Sequence, residues 1–208
     1  MIDLGIIFLS FLVGSIPNGY WIGKIFFKTD LREHGSHNIG ATNAGRVLGW
    51  RVGFLVLILD ASKGAIPVLL CSQVETILLG RLEWQLLIGF VAILGHTFTP
   101  FLGGKGGKGV ATALGVYLVI IPLVTLGAVG VFLLVYYIFK FVSLGSILAS
   151  WAMPLLYEAN NFLSPSEPRS LLLLGVLVGT AIFITYLHRD NIKRMYNGKE
   201  LRATNGNR

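Results

Sequence analysis

Charged residues and cysteine are both scarce in this sequence. Of its 208 residues only 13% are charged, whereas 54% are hydrophobic and the mean hydropathy is +0.72. A soluble domain usually carries about 25% charged residues, so this composition excludes an ordinary soluble domain and indicates an integral membrane protein. The single cysteine, Cys71, excludes an internal disulfide and any cysteine-rich metal site.

Several sequence patterns that mark known functions are also missing. The first residues lack the basic region of a signal peptide, so we expect the first apolar segment to remain as a membrane span. There is no G-x-S-x-G elbow, no histidine with an aspartate five positions later, and no cluster with metal-ligand spacing. We therefore expect no activated nucleophile, no metal site and no cofactor. The net charge of +7 fits basic cytoplasmic loops and an anionic substrate better than a nucleic-acid partner.

Long hydrophobic runs are abundant, and they occupy about 4–25, 52–71, 84–101, 109–139, 141–157 and 170–187. A helix needs about 20 residues to cross a hydrocarbon core of about 30 Å, so the run 109–139 is too long for one span and short for two. Pro122 lies inside this run and is expected to break it into a tight hairpin of two short helices.

The distribution of charge decides the number of crossings. Lysine and arginine concentrate at 24–51, 105–108, 140 and 189–208, whereas the segments 72–83 and 158–169 are mainly acidic. Because basic loops face the cytoplasm, an even number of crossings must separate Lys108 from Lys140. We therefore predict an all-α bundle of seven transmembrane helices, with the N-terminus outside and the C-terminus cytoplasmic. The whole chain, 1–208, is expected to form one domain, with a flexible tail at 200–208.

This topology brings three polar segments, 27–51, 102–109 and 188–200, to one side of the membrane. The first contains HGSHNIGATNAGRVLG, residues 34–49, in which small hydrogen-bonding side chains surround Arg46. Arginine presents a planar fork suited to phosphate, and glycines permit sharp turns around it. The simpler interpretation is a solvated loop with one arginine near the lipid headgroups. The density of glycines and amides favours a binding role.

The second segment is FLGGKGGKGVATALG, residues 101–115. It is not a nucleotide P-loop, because Gly109 replaces the required Ser or Thr after Lys108. A dinucleotide fingerprint is also excluded, since the flanks are apolar helix and no acidic residue follows for more than 40 positions. The glycines, Lys105, Lys108 and the start of the next helix favour a phosphate site. A flexible basic turn is the alternative, and His96 is expected to be a hydrogen-bonded core residue.

The third segment, HRDNIKRMYNGKE at 188–200, places His188 and Asn191 on one face of a helix. A histidine and an amide together suit a substrate hydroxyl, but a basic helix lying on anionic lipid is an equal alternative. Asp60 and Lys63, three positions apart inside the second span, are expected to pair. Whether Lys63 also reaches a phosphate site stays open.

Together these segments resemble the PlsY family, the bacterial membrane glycerol-3-phosphate acyltransferases that use acyl phosphate. The family pattern G-S-x-N-x-G-A-T-N-x-x-R stands here as GSHNIGATNAGR, and G-H-x-x-P followed by K-G-G-K-G-x-A-T is similar to GHTFTPFLGGKGGKGVAT. The tail HRDNIKR…GKE is the third match, and DASKG is a lesser one. Three positions depart from the family pattern: His37 replaces a glycine, Pro100 lies one position late, and Gly104 stands where an aromatic residue is common.

The resemblance implies transfer of an acyl group from acyl phosphate to the 1-hydroxyl of sn-glycerol 3-phosphate, giving lysophosphatidate and phosphate without a covalent acyl-enzyme. The residues that it implies for catalysis are Ser36, Arg46, Lys105, His188 and Asn191. Those that it implies for substrate and phosphate binding are Asn38, Thr42, Asn43, Lys63, Gly104, Gly106, Gly107 and Lys108. The base is either a phosphate oxygen of the substrate or His188.

The implied partners are glycerol 3-phosphate, acyl phosphate, membrane lipids and the enzyme that supplies acyl phosphate, with no nucleic acid. The implied place is the bacterial cytoplasmic (inner) membrane, crossed several times, with the active site at the cytoplasmic face. The reaction would be the first acylation of phospholipid synthesis. The alternative is a transporter of a phosphate-bearing solute, but the sequence shows no internal repeat of the kind common in transporters.

Overall fold

Every regular element in the part of the chain that the structure describes is helical. The structure is a computed structural model that describes residues 2–72, 79–163 and 169–202. Its α-helices are α1 (Ile2–Ser15), α2 (Asn18–Phe26), α3 (Ala41–Leu48), α4 (Trp50–Cys71), α5 (Arg81–Thr97), α6 (Val110–Ile120), α7 (Pro122–Phe139), α8 (Val142–Leu163), α9 (Leu171–Leu187) and α10 (Arg189–Tyr196), with a short 3₁₀ helix at Pro100–Leu102. The predicted all-α class is confirmed. Residues 203–208 of the predicted flexible tail, and parts of both acidic segments, lie outside the described residues.

The longest apolar run is divided at the expected proline. α6 ends at Ile120, and Pro122 opens α7 at a position where its missing N–H costs no helical hydrogen bond. Ile121 between them is not helical, with φ −139° and ψ 67°. α6 has only 11 residues, which gives it a length of about 17 Å. The first apolar run is divided as well, because α1 and α2 meet at Pro17 with a bend of 45°.

Within the described ranges, three helices are long and apolar enough to cross a membrane. They are Trp50–Cys71, Arg81–Leu102 and Pro122–Phe139, and the number rises to five if each of two bent helix pairs forms one span. Many large side chains on the helices are exposed, among them Leu123, Leu155 and Phe162. Such apolar outer faces are expected where helices contact lipid instead of water. Seven spans and their orientation remain a prediction.

The chain divides into two compact units, and the first ends at Ile120. In this unit α4 packs against α3, α5 and α6, and α1 packs along α5. Small residues let two of these backbones come close: Gly64 of α4 faces the backbone of Thr112, and Gly115 of α6 faces Ala61. Close approach at small residues is the usual way in which helices associate in membranes. The tight packing gives the polar segments of this unit a rigid support.

The second unit runs from Ile121 to Arg202. α8 packs against both α7 and α9, and α10 follows α9 after a bend of 58° at His188. Val124, Ala128, Met153 and Leu177 are among its buried residues. The bend directs the polar residues of α10 away from the line of α9, so that they lie beside the end of the apolar helix. The prediction of a single domain over the whole chain stays a prediction.

Candidate active site

Asn43 organises the first polar segment. Its side chain is 1% exposed, and its Nδ2 lies 3.1, 3.0 and 2.8 Å from the backbone oxygens of Leu31, His34 and Asn38. Its Oδ1 accepts a hydrogen bond from the backbone N–H of Ser36 at 2.8 Å. A buried amide satisfied in this way fixes the backbone that surrounds it. Asn43 therefore shapes the loop from the inside instead of projecting towards a ligand.

Arg46 lies one helical turn after Asn43 on α3. Its Nη1 donates to the Asn43 Oδ1 at 3.3 Å, so the guanidinium and the backbone N–H of Ser36 share one acceptor. Arg46 and Ser36 are both half-buried, and Thr42 is exposed. Asn38 turns its side chain inwards, where its Oδ1 accepts from the N–H of Gly40 at 2.9 Å. The structure thus brings Ser36, Asn43 and Arg46 together, whereas Asn38 serves its own turn.

The loop tolerates a histidine at position 37 although the residue is left-handed. His37 has φ +58°, the region that favours glycine and that histidine enters more often than most residues do. Its Nδ1 lies 2.9 Å from the backbone oxygen of Arg32, which holds the ring in place. A positive φ explains why glycine is common here in the family pattern.

A carboxylate that sequence reasoning missed supports the start of this loop. Asp30 is 3% exposed, and its Oδ2 lies 2.8 Å from the Nη2 of Arg32 and 3.2 Å from the Nζ of Lys24. Hydrogen bonds from the Arg32 side chain hold the pKa of Asp30 well below its usual range, and Asp30 raises the pKa of Arg32 in return. The Arg32 guanidinium also lies 4.6 Å from the Tyr20 ring centroid. The sequence signal that could have predicted this ion pair is the two-residue spacing of Asp30 and Arg32.

The glycine turn folds back onto the end of α5. The N–H groups of Gly104, Gly106 and Gly107 donate to the backbone oxygens of Thr99, Thr97 and His96 at 2.9, 2.9 and 3.1 Å. These are three of the N–H groups that the sequence assigned to a phosphate, and the structure uses them to close the turn. Gly103, Gly104 and Gly109 have positive φ, so the turn itself needs glycine at these positions.

The two lysines of this turn are in different surroundings. Lys105 is exposed, whereas Lys108 is half-buried just before α6 begins at Val110. An exposed ammonium at the tip of a rigid turn is a suitable contact for an anionic group. The described geometry therefore shifts the expected phosphate contact of this segment from backbone N–H groups to the side chain of Lys105.

Asp60 and Lys63 form the expected buried pair in α4. The Lys63 Nζ lies 3.0 Å from the Asp60 Oδ1, and the two side chains are 5% and 3% exposed. Lys63 also donates to the backbone oxygen of Ile16 at 2.7 Å, and Asn18 donates to Asp60 at 2.9 Å. Of the two partners of Lys63, Asp60 is buried and Ile16 is half-buried. The Lys63 ammonium tethers α4 to the α1–α2 break, and its predicted part in phosphate binding stays a prediction.

His188 lies where α9 ends and α10 begins. It is 3% exposed, and its Nδ1 lies 2.8 Å from the backbone oxygen of Ile184. Because a carbonyl only accepts, this nitrogen carries the proton, and in the neutral ring Nε2 is then the acceptor nitrogen. Asn191, three positions later and 6% exposed, donates from Nδ2 to Glu200 at 2.6 Å.

Glu200 is the second carboxylate that sequence reasoning missed, since it was grouped with the flexible tail. Its side chain is 4% exposed, and its two oxygens accept from Ser143 at 2.7 Å, Asn191 at 2.6 Å and Arg194 at 2.8 Å. These contacts tie the end of the described chain to α8 and α10. The only sequence signal was the GKE triplet within the third motif.

Comparison with known proteins gives a consistent result. Residues 4–198 match the family model described as glycerol-3-phosphate acyltransferase. A glycerol-3-phosphate acyltransferase of Leptospira borgpetersenii is 52% identical over 196 residues, which cover 94% of this chain and 89% of the relative. Another from Fusobacterium nucleatum is 43% identical over 194 residues, covering 93% of this chain and 94% of the relative.

Two crystal structures of PlsY (YgiH), an integral membrane glycerol 3-phosphate acyltransferase, have the same fold. The glycerol 3-phosphate form is 35% identical, with a TM-score of 0.86 and coverage of 97% of this chain and 96% of the other. The lysophosphatidic acid form is 34% identical, with a TM-score of 0.83 and coverage of 97% and 95%.

Proposed function

This chain belongs to the glycerol-3-phosphate acyltransferase family, as its three motifs predicted, and we propose that it moves a fatty acyl group from acyl phosphate to the 1-hydroxyl of sn-glycerol 3-phosphate. The products are lysophosphatidate and inorganic phosphate. The observation that carries the proposal is the likeness of nearly the whole chain to a relative solved in forms named for glycerol 3-phosphate and lysophosphatidic acid. These molecules are the acceptor and the product of such a transfer.

Phosphate recognition in this proposal is carried by charged side chains. Arg46, oriented by Asn43, offers a fork to phosphate oxygens, and the hydroxyl of Ser36 lies on the same loop. Lys105 adds a point charge from the glycine turn, and Lys108 adds a second near the start of α6. Gly104, Gly106 and Gly107 shape the turn that presents Lys105. Neither loop is assigned to the phosphate of one particular substrate.

The reaction itself needs positioning more than activation. The acceptor hydroxyl oxygen attacks the acyl carbonyl carbon, the bond from that carbon to the phosphate oxygen breaks, and phosphate leaves with the electron pair. His188 and Asn191 would hold the glycerol part, and the Nε2 of the neutral His188 ring is the nitrogen that accepts a hydroxyl proton. The proton passes either to this nitrogen or to a phosphate oxygen of the substrate. Catalysis then rests on orientation and charge stabilisation.

The proposal includes a membrane setting, which the family's integral membrane relatives support. We place the protein in the bacterial cytoplasmic (inner) membrane as a single multi-pass domain, with its site at the cytoplasmic face. Acyl phosphate is both apolar and anionic, so it would enter from the bilayer with its phosphate at the headgroup level. An enzyme that supplies acyl phosphate is the expected protein partner.

The test of this proposal is a donor comparison with purified protein. Glycerol 3-phosphate and palmitoyl phosphate should give lysophosphatidate and one phosphate per turnover, measured by mass spectrometry and phosphate release. Palmitoyl-CoA should not serve, and a Lys105→Ala variant should lose about 10- to 150-fold in kcat/KM, as expected for one charge-assisted contact. Equal turnover with the CoA thioester would overturn the donor assignment. Movement of solute across a vesicle without acyl transfer would favour a transporter.

A further inference from the structure

The ring of His96 is enclosed between a buried carboxylate and the glycine turn. His96 is 4% exposed at the end of α5, and its Nδ1 lies 3.9 Å from the Oδ1 of Asp60. On the other side of the ring, a β-carbon built on Gly107 would lie 2.8 Å from Cε1 and 3.1 Å from Cδ2 and would be closer still to Nε2. Non-bonded carbon atoms settle at about 3.5–4.0 Å. Gly107 therefore rests on the ring with no room for a side chain.

The backbone of His96 also binds the glycine turn, through a hydrogen bond. Its carbonyl oxygen accepts the N–H of Gly107 at 3.1 Å, and the next carbonyl, that of Thr97, accepts the N–H of Gly106 at 2.9 Å. Ring and carbonyl together fix the height and tilt of the turn above α5. Lys105 lies immediately before these two glycines, so its position depends on the same contacts.

On the side of α4, the carboxylate of Asp60 lies 3.9 Å from the ring, beyond hydrogen-bonding distance, and is itself held in place. Asp60 accepts from Asn18 at 2.9 Å and pairs with Lys63 at 3.0 Å. Lys63 reaches the carbonyl of Ile16, so this network joins the α1–α2 break to α4. A buried charge is costly without partners, so these contacts favour the observed positions of Asp60 and Lys63.

We propose that His96 is a positioning residue: its ring carries Gly107 and thereby sets where Lys105 meets the substrate phosphate. The glycine at 107 is then required because of the ring, and not because an anion must approach its backbone. The proposal rests on the proposed function only in giving Lys105 a substrate phosphate to bind. The contact between ring and glycine stands without it.

Glycine at position 107 is required either because of the His96 ring or because an anion approaches its backbone. These two explanations predict different results for a double substitution. If the ring is what excludes a side chain, Gly107→Ala should reduce kcat/KM for glycerol 3-phosphate by about 5- to 150-fold, the range expected for overpacking. The same change should cost less than about threefold in a His96→Ala background, where the new methyl group enters the space that the ring has left. In a His96→Phe background a ring is still present, so the penalty should return.

Gly106→Ala is the matched control. A β-carbon there would meet the backbone oxygens of His96 and Thr97, which no side-chain change removes. Its penalty should be the same in the wild-type and His96→Ala backgrounds. A positioning role also predicts that Gly107→Ala raises KM for glycerol 3-phosphate more than it lowers kcat, because the affected group is a binding lysine. A general loss of folded enzyme would lower kcat at unchanged KM.

The melting temperatures of the same single and double variants test the contact between ring and glycine independently of catalysis. Gly107→Ala should lower the melting temperature in the wild type and barely change it in the His96→Ala background. If Gly107→Ala costs the same in both backgrounds, in activity and in melting temperature, the proposal is overturned and anion approach becomes the better explanation. Absence of acyl transfer in the wild type would refute the proposed function alone, since the melting cycle still reports on the ring and the glycine.

Discussion

At the scale of single residues, several buried polar side chains of this protein hold other parts of the protein in place. Asn43 donates to carbonyls of its own loop, and Glu200 accepts hydrogen bonds from side chains of α8 and α10. Lys105, by contrast, is exposed and projects from such a scaffold. A binding site built in this way is rigid before the substrate arrives, which reduces the entropy lost when the substrate is ordered.

Asp30 allows this support to be tested through pH. Its folded pKa is held below the unfolded value by Arg32, so its carboxylate stabilises the fold above pH about 3.9 and loses this effect as the pH falls towards the folded pKa. The loss is at most about 1.4 kcal/mol for each pH unit, and less because Arg32 and Lys24 are partly exposed. Asp30→Asn should therefore lower the melting temperature at pH 7, with a gap to wild type that narrows below pH 4.

The control for this measurement is Glu33→Gln, which removes an exposed carboxylate three positions later in the same loop. Its melting temperature should follow that of the wild type at every pH. A gap for Asp30→Asn that stays constant down to pH 3 would contradict the role of the charge and leave only the packing of the side chain.

At the scale of elements, sequence reasoning succeeded where a single residue decides the backbone. Pro122 lacks the N–H that a continuous helix needs, and the break is found there. Sequence reasoning failed where a hydrogen-bond partner is far away in the sequence or is a backbone group. Ser143 lies 57 positions from Glu200, and the carbonyls that receive the N–H groups of Gly106 and Gly107 belong to α5. The sequence shows that this turn is rich in glycine. A neighbouring side chain that leaves no room for a β-carbon and an anion that approaches the backbone would both require glycine, so the sequence alone does not distinguish them.

The tether between α4 and the α1–α2 break can be tested by removing its charges one at a time. Asp60→Asn leaves the Lys63 ammonium buried without a counter-charge, which should cost about 3–5 kcal/mol of stability. Adding Lys63→Met removes the buried charge and should recover much of that loss. Recovery should be incomplete, because the carbonyl of Ile16 loses its hydrogen-bond donor, whereas an asparagine at position 60 can still accept from Asn18. Thermal melting in one detergent compares the three proteins.

The exposed pair of Arg169 and Glu158 provides the comparison for this cycle. Its atoms are 2.9 Å apart, but its side chains are 51% and 38% exposed, so removing one partner should cost less than about 1 kcal/mol. If Asp60→Asn melts as the wild type does, the buried pair contributes nothing to holding α4 against the break.

At the scale of the whole molecule, the pattern of hydrophobicity and charge predicts more crossings than helix length alone supports. Three to five spans satisfy length and composition in the described residues, whereas seven follow from keeping every basic segment in the cytoplasm. The difference concerns short helices such as α6, which has 11 residues. A short helix crosses a bilayer only if the membrane thins or neighbouring helices cover its ends. Helix length therefore leaves the topology to experiment.

Single-cysteine labelling in intact cells decides between these counts. In a Cys71→Ala background, which removes the one native thiol, cysteines at Ser36, Lys140 and Asn197 should react with an impermeant maleimide only after the membrane is opened. Cysteines at Arg81 and Arg169, both exposed, should react from outside without opening. Denatured samples give the total thiol in each case, so that a buried position is not mistaken for a cytoplasmic one. The informative pair is Lys108 and Lys140, because seven spans place both in the cytoplasm and one long helix across 109–139 would separate them. Labelling of Lys140→Cys from outside, with Lys108→Cys protected, would refute the two-helix hairpin at Pro122 and with it the seven-span arrangement.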